Sequence, residues 1–290
     1  MRDRDITLNG QDFHLREWGD PARPRLLFLH GFPEYGGAWA DLAGRLGDGF
    51  HCVAPDQRGY GRSYAPGDVE SYKVSHLVGD MVALIEEIGG PVTVVGHDWG
   101  AAVAYGLAIG RPDLVSRLII LNGVHPGPFQ AALATGGAQA EASQYMRSLR
   151  REGSEDRLAA DGYARLLGLF AEGMDMSWMT PDRQADYIAE WSRPGRLTGM
   201  VNWYRATPIV VPEPGRSLDL PPLSTDRFRV AMPHLLIWGL GDRALLPEAT
   251  AGLEAYCDDL TRVDVPEADH WIVHQAPDRV AAIIRDWLER

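Results

Sequence analysis

The chain has 290 residues, 45% of them hydrophobic and 23% charged, which is enough apolar material for a sizeable core in one or two domains. Its 28 basic residues against 40 acidic ones leave a formal charge of −12. That balance argues against nucleic acid or an anionic membrane surface as a partner.

In chain order, Ile6 to Leu8 and Phe13 to Trp18 alternate as two strands of an antiparallel start. Arg25-Leu26-Leu27-Phe28-Leu29 is a continuous apolar run, the pattern of a strand covered on both faces. A helix near 37–47, a strand at 51–54, a helix near 74–89 and a strand at 92–95 follow, then a glycine-flanked turn and the small-residue helix Ala101 to Ala108. Val115 to Leu121 reads as another buried strand. This alternation predicts an α/β fold, a mostly parallel central sheet flanked by helices. After Asn122-Gly123 the pattern changes. No strong strand is evident from 124 to 227, while Glu141 to Arg151, Leu158 to Gly173 and Arg183 to Ser192 read as helices. Residues 124–227 are therefore expected to be an inserted helical cap on a core made of 1–123 and 228–290. Prolines at 208, 212, 214, 221, 222 and 233 make the exit from this segment a stiff linker. The sheet resumes with His234 to Trp238 and Thr261 to Val265, and Pro277 to Leu288 closes the chain as an amphipathic helix.

The start Met1-Arg2-Asp3-Arg4-Asp5 has no apolar segment of a secretory signal. The longest apolar stretch, around 91–109, contains Asp98 and several glycines, which does not suit a membrane span. A cytoplasmic location follows as the expectation. It agrees with Cys52 and Cys257 being free thiols rather than a disulfide or a metal pair.

Gly96-His97-Asp98-Trp99-Gly100 is the most informative segment. Its glycines permit a strained turn between strand and helix that lifts the central side chain into a cleft. The central residue is a carboxylate, and this narrows the chemistry. A serine displacing a leaving group from sp³ carbon would end as an ether, and turnover would stop. A carboxylate makes an alkyl ester instead, which water can cleave at its carbonyl. Asp98 thus points to displacement at saturated carbon, either opening an epoxide or expelling a halide. The plainer alternative is an aspartate that only caps the following helix.

Three other segments complete the pattern. His30-Gly31-Phe32-Pro33-Glu34 follows the first buried strand and would turn the backbone N–H of Phe32 toward the elbow. With the N–H of Trp99 it would form an oxyanion hole, though a plain strand-ending turn has the same composition. Gly239-Leu240-Gly241-Asp242 places an acid at a strand's end, and Asp269-His270-Trp271 follows the next strand. The chain order is then nucleophile Asp98, acid Asp242, base His270. In those roles His270 takes a proton from water, and Asp242 fixes its tautomer and stabilises the imidazolium. With nine histidines in the chain, a surface histidine is the bland alternative for His270. Asp258 and Asp259 are rival acids placed at a polar helix end, and His97 is expected to be structural.

Over nearly its whole length the sequence resembles the epoxide hydrolases of the α/β-hydrolase fold. The resemblance rests on HGFPE at 30–34, DQRGYGRS at 56–63, GHDWGA at 96–101, GLGD at 239–242 and DHW at 269–271. Haloalkane and fluoroacetate dehalogenases share the fold and the aspartate. One haloalkane subgroup has Asn after His-Gly where this chain has Phe32, and fluoroacetate dehalogenases carry arginines where this chain has Ala101 to Ala104. The resemblance also implies two cap tyrosines that hold the epoxide oxygen. Met200-Val201-Asn202-Trp203-Tyr204-Arg205 matches the second of these motifs, and Ser143-Gln144-Tyr145-Met146-Arg147 stands in the place of the first. Tyrosines that merely pack cap against core would look the same. Phe32, Trp99 and Trp203, with Trp178 and Trp191, are candidate walls of an apolar pocket.

The expected activity is conversion of a small apolar epoxide to a vicinal diol, with no cofactor and no metal, since no cluster has ligand spacing. A dehalogenase using Asp98, or a catalytically silent ligand-binding protein of the same fold, are the other readings. The sequence leaves a homodimer open.

Overall fold

The computed structural model describes all 290 residues, the side chain of Phe170 excepted. The chain opens with β1 (Arg2–Leu8), β2 (Gln11–Trp18), β3 (Arg25–Leu29), α1 (Ala40–Leu46), β4 (His51–Pro55), α2 (Val74–Ile88), β5 (Val92–His97), α3 (Trp99–Gly110) and β6 (Val115–Leu121). Six helices follow before the next strand: α4 (Pro126–Ala134), α5 (Ala138–Ala142), α6 (Gln144–Leu149), α7 (Ser154–Ala171), α8 (Pro181–Trp191) and α9 (Arg196–Ala206). The chain ends with β7 (His234–Gly239), β8 (Leu260–Val265), α10 (Ile272–Gln275) and α11 (Pro277–Leu288).

The eight strands form one sheet in the order β1-β2-β4-β3-β5-β6-β7-β8. Only the β1–β2 and β2–β4 ladders are antiparallel. The apolar run in β3 shows why: Leu27 and Leu29 pack into the cluster shared with α2 and α3, whereas Leu26 and Phe28 pack with Trp39, Leu42 and Ile284 on the other face. Both faces are therefore covered, and each such side chain contributes roughly 1.5–3 kcal/mol on burial. The parallel strands align their carboxyl ends along one edge, which is where an open sheet of this kind leaves a crevice for ligands.

Several expected elements differ in detail. The helix foreseen near 37–47 is a 3₁₀ turn at Gly36–Trp39 followed by α1, and β1 starts at Arg2 instead of Ile6. The helix foreseen from Glu141 to Arg151 is two short ones broken at Ser143, where ψ is near zero. α7 is interrupted at Ala160–Tyr163, where Asp161, Gly162 and Tyr163 take positive φ. The periodicity missed α9 because Met200 to Tyr204 are all buried in succession, so no polar face alternates with an apolar one. It also missed α4, which starts Pro-Gly-Pro and is capped by the imidazole of His125 accepting the Gly127 N–H at 3.1 Å. Asp258 and Asp259 lie in a bend before β8, not at a helix end, and Asp258 is paired with Arg229. No described helix is long and apolar enough to cross a membrane.

Candidate active site

Asp98 sits between β5 and α3 with φ 49° and ψ −121°, a backbone conformation that a non-glycine residue holds only when its surroundings impose it. The imposition is steric. Gly100 lies so close to the carbonyl of Leu29 that any Cβ there would collide with it, and Gly31 lies equally close to the side chain of Asp98. The N–H of Phe32 donates to Asp98 Oδ1 at 2.7 Å, and the adjoining N–H of Trp99 also favours the charged carboxylate. Of the two N–H groups expected in the oxyanion hole, that of Phe32 thus addresses the carboxylate directly. Its other oxygen, Oδ2, faces His270 Nε2 at 3.8 Å.

His270 is buried and bonded through Nδ1 to Asp242 Oδ2 at 2.8 Å. Oδ1 of Asp242 accepts the N–H groups of Ala244 and Leu245 at 2.8 and 2.9 Å. Asn122, at the end of β6, donates to Asp242 Oδ2 at 2.8 Å while clamping both backbone groups of Gly239. Burial by itself would raise the pKa of Asp242, but His270, Leu245 and Asn122 hold it below the ordinary carboxylate value. Burial would likewise lower His270, yet the carboxylates of Asp242, Asp98 and Glu34 raise it from 6.5 to about 9. Asp98 is raised by its burial, against the pull of His270, His97 and the two N–H donors.

Beneath this layer lies a second one that the sequence reading did not assign. Glu34 is buried and accepts hydrogen bonds from Tyr187 Oη at 3.0 Å, His274 Nε2 at 2.7 Å and His97 Nδ1 at 3.1 Å. His97 Nε2 in turn lies 2.8 Å from the backbone oxygen of His270. Burial would raise Glu34, but His274 and His97 hold its carboxyl far below the usual range. His97 is therefore a bridge between the loop of Glu34 and the loop of His270. The signal in the sequence was an acid directly after the Phe-Pro turn and a histidine beside the elbow. Nothing in their spacing joins them to Tyr187 or His274.

Tyr145 of α6 and Tyr204 of α9 come together over Asp98, with ring centroids 6.1 Å apart. Burial raises both phenols above their ordinary value, helped at Tyr145 by the charge of Asp98 and at Tyr204 by Tyr145 and then Asp98, so each keeps its proton at neutral pH. Two cavities, of about 470 and 510 Å³, share Asp98, Tyr145 and Tyr204 in their walls. Phe32 borders the first; Trp99 and Trp203 border the second. Trp203 also donates its indole N–H to the Arg58 carbonyl at 2.9 Å, and Phe32 and Trp99 each meet the Tyr204 ring edge-on at 5.1 Å. Trp178 and Trp191 are engaged elsewhere, which corrects their expected place in the pocket. Trp178 stacks on His274 at 3.9 Å, and Trp191 donates to the Pro33 carbonyl at 2.6 Å, tying α8 to the Phe32 turn. Cys52 and Cys257 are both free, and among the described residues no group of three His, Cys, Asp or Glu side chains could hold a metal ion.

An eight-stranded, mostly parallel sheet that presents an acid, a histidine and an elbow carboxylate at its carboxyl edge defines the α/β-hydrolase class, and the chain belongs to the α/β-hydrolase family, whose model matches residues 26–283. Its relatives narrow the comparison. The α/β-hydrolase superfamily protein YfhM of Bacillus subtilis is 32% identical over 98% of this chain and 96% of its own. Epoxide hydrolase 4 of Mus musculus is 29% identical, covering 98% of this chain and 78% of that protein. Among solved structures, an epoxide hydrolase from hot-environment metagenomes superposes with a TM-score of 0.91 at 37% identity, covering 99% of this chain and 98% of the other. The epoxide hydrolase of Bacillus megaterium, solved with an inhibitor, gives a TM-score of 0.88 at 31% identity over 99% and 100% of the two chains.

Proposed function

We propose that this protein is an epoxide hydrolase that forms a vicinal diol through a covalent alkyl ester on Asp98, with residues 124–227 acting as a cap over the core. The reading is carried by two cap tyrosines, Tyr145 and Tyr204, lining both cavities together with the elbow carboxylate, with burial holding their phenols above the ordinary value. Opening an epoxide leaves an alkoxide, a poor leaving group that needs strong donors, whereas a halide needs only weak ones. Epoxide hydrolases among its relatives support the same choice.

The geometry suggests the order of events. Oδ1 accepts the N–H of Phe32, so Oδ2 attacks an epoxide carbon while the tyrosines donate to the departing oxygen. The C–O bond to the ring breaks as the ester bond forms, and the alkoxide takes the phenolic proton of one tyrosine, which is left as a tyrosinate. Oδ1 then becomes the ester carbonyl, already seated against the Phe32 N–H, a donor that stabilises the tetrahedral oxyanion of the next step. Alkylation also removes the negative charge of Asp98, one of the supports of the raised His270 pKa. The loss lowers that pKa and readies His270 to take a proton from water, with Asp242 stabilising the imidazolium that results. Hydroxide adds to the ester carbonyl, and the tetrahedral intermediate collapses with its hydroxyl proton passing to the departing oxygen. The proton held by His270 restores the tyrosine, so the diol leaves and Asp98 returns as a carboxylate.

The deciding experiment is a panel of aryl and alkyl epoxides and haloalkanes scored for diol and for released halide. Diol formation that survives a chelator is the expected result. Halide release with no diol from any epoxide would transfer the assignment to a dehalogenase, and neither product would favour a binding protein.

A further inference from the structure

Asp98, Tyr145 and Tyr204 border both cavities, yet the two arms leading away from them differ in chemistry. The 470 Å³ arm is bordered by His270 and, toward solvent, by the exposed Glu141, Glu172 and Arg243. The 510 Å³ arm has no charged side chain in its wall besides Asp98. It follows α3 past Ala102, Val103 and Gly106 and reaches the surface beside the exposed Val74, Gly110 and Pro208. Near that outer end Gln130 of α4 grips the backbone of Val210 twice. Its amide N–H donates to the Val210 carbonyl, and its amide oxygen accepts the Val210 N–H, both at 3.3 Å.

We propose that the 510 Å³ arm receives the longer hydrocarbon substituent of the epoxide, and that the Gln130–Val210 bridge sets how long a chain it encloses; this rests on the epoxide reading above. The reason is where the water must stand. His270 borders the charged arm and not the apolar one, so the water it activates arrives on the charged side. A hydrocarbon chain in the charged arm would displace that water and strip solvent from Glu141, Glu172 and Arg243. In the apolar arm it does neither. There each methylene removed from water raises kcat/KM by about three- to four-fold until the chain meets the bridge.

The test uses straight-chain terminal epoxides lengthened one methylene at a time from propylene oxide, with diol measured as kcat/KM. The parent enzyme shows a rise followed by a plateau. Gln130→Ala, which removes both bonds, moves the plateau to longer chains, and a plateau that stays put overturns the bridge as the limit. Ala102→Phe narrows the apolar arm and lowers the ratio of longest to shortest substrate by about tenfold or more; Ala102→Leu does so more mildly should the larger residue prevent folding. Ala142→Phe, its counterpart in the charged arm, keeps the ratio. A ratio that falls in Ala142→Phe and holds in the Ala102 variants places the chain in the wrong arm and overturns the proposal. Diol from every epoxide with no dependence on length overturns this inference alone, whereas no diol from any of them removes the epoxide reading.

Discussion

At the carboxyl edge of the sheet, each group of the candidate site sits at, or within a few residues of, the end of a strand: Phe32 after β3, Asp98 after β5, Asn122 after β6, Asp242 after β7 and His270 after the edge strand β8. The inner strands are buried along almost their whole length, and the bonds Phe32–Asp98, Asn122–Asp242 and Asp242–His270 measure 2.7–2.8 Å. In the six-helix segment, Tyr145 and Tyr204 sit on helices that are short or fully buried, and their position depends on how α8 and α9 dock. Bonds that dock them include Trp191 to Pro33, Tyr187 to Glu34, Trp203 to Arg58 and Arg196 to Gly61. On the proposed reading the difference is a division of labour: strand ends set the reacting atoms, and helices set which molecule reaches them. Edits at strand ends should abolish chemistry, edits in the helices should retune it, and edits at the docking contacts should trade the two.

The largest effect is expected from Asp98→Ala. Loss of the nucleophile should lower kcat for diol formation by about 10⁴-fold or more and leave no covalent adduct by mass spectrometry. His270→Gln comes next, with a fall in turnover of roughly 10²–10⁴-fold. Because this change spares the first step, the intact protein should gain one substrate mass, and an unmodified protein after long incubation would count against the ester.

Tyr204→Phe should slow alkylation by about 10²-fold or less, the scale for one lost oxyanion donor, and adding Tyr145→Phe should lower it much further. A preformed ester should still hydrolyse at nearly the parent rate. A double variant that opens epoxides as fast as the parent would reduce both tyrosines to packing residues.

A pH experiment probes the strand-end network alone. The folded pKa of His270, about 9, lies above its ordinary 6.5. Its contribution to stability is therefore complete below 6.5 and is lost as pH rises through about 9. Asp242→Asn removes the partner that raises the value. The stability gap between parent and variant should narrow across that window by on the order of 3 kcal/mol, read from denaturant unfolding at several pH values. A gap that stays constant across the window would mean His270 is neutral in the resting protein.

The smallest effect is assigned to the docking contacts. Trp191→Phe replaces the buried indole with a smaller ring and deletes its N–H, leaving the buried Pro33 carbonyl without that donor. About 1–3 kcal/mol of stability should go, with a modest rise in KM and kcat falling less than in Tyr204→Phe. An equal loss in both tyrosine and tryptophan variants would erase the distinction between docking and chemistry.

The sheet was legible in the sequence because a strand covered on both faces leaves a continuous apolar run, as at Leu26–Leu29 and Leu118–Leu121, and because turns that need glycine say so. The same local rules marked Asp98, Asp242 and His270 in chain order. α9 and the broken Glu141–Arg151 segment were not legible. Residues buried all round, or stopped at a single serine, carry no period of their own, and the neighbours that bury them come from distant segments. The sequence alone determined which carboxylate stands at the elbow, and with it the proposal that displacement at carbon is its chemistry. Only the tertiary structure decided that Glu34, His97, His274 and Tyr187 form one buried layer, that Trp178 and Trp191 serve that layer and not the pocket, and that two arms of different polarity diverge from Asp98. These are contacts between residues far apart in the chain, and the burial that makes them strong exists only once the fold has closed around them.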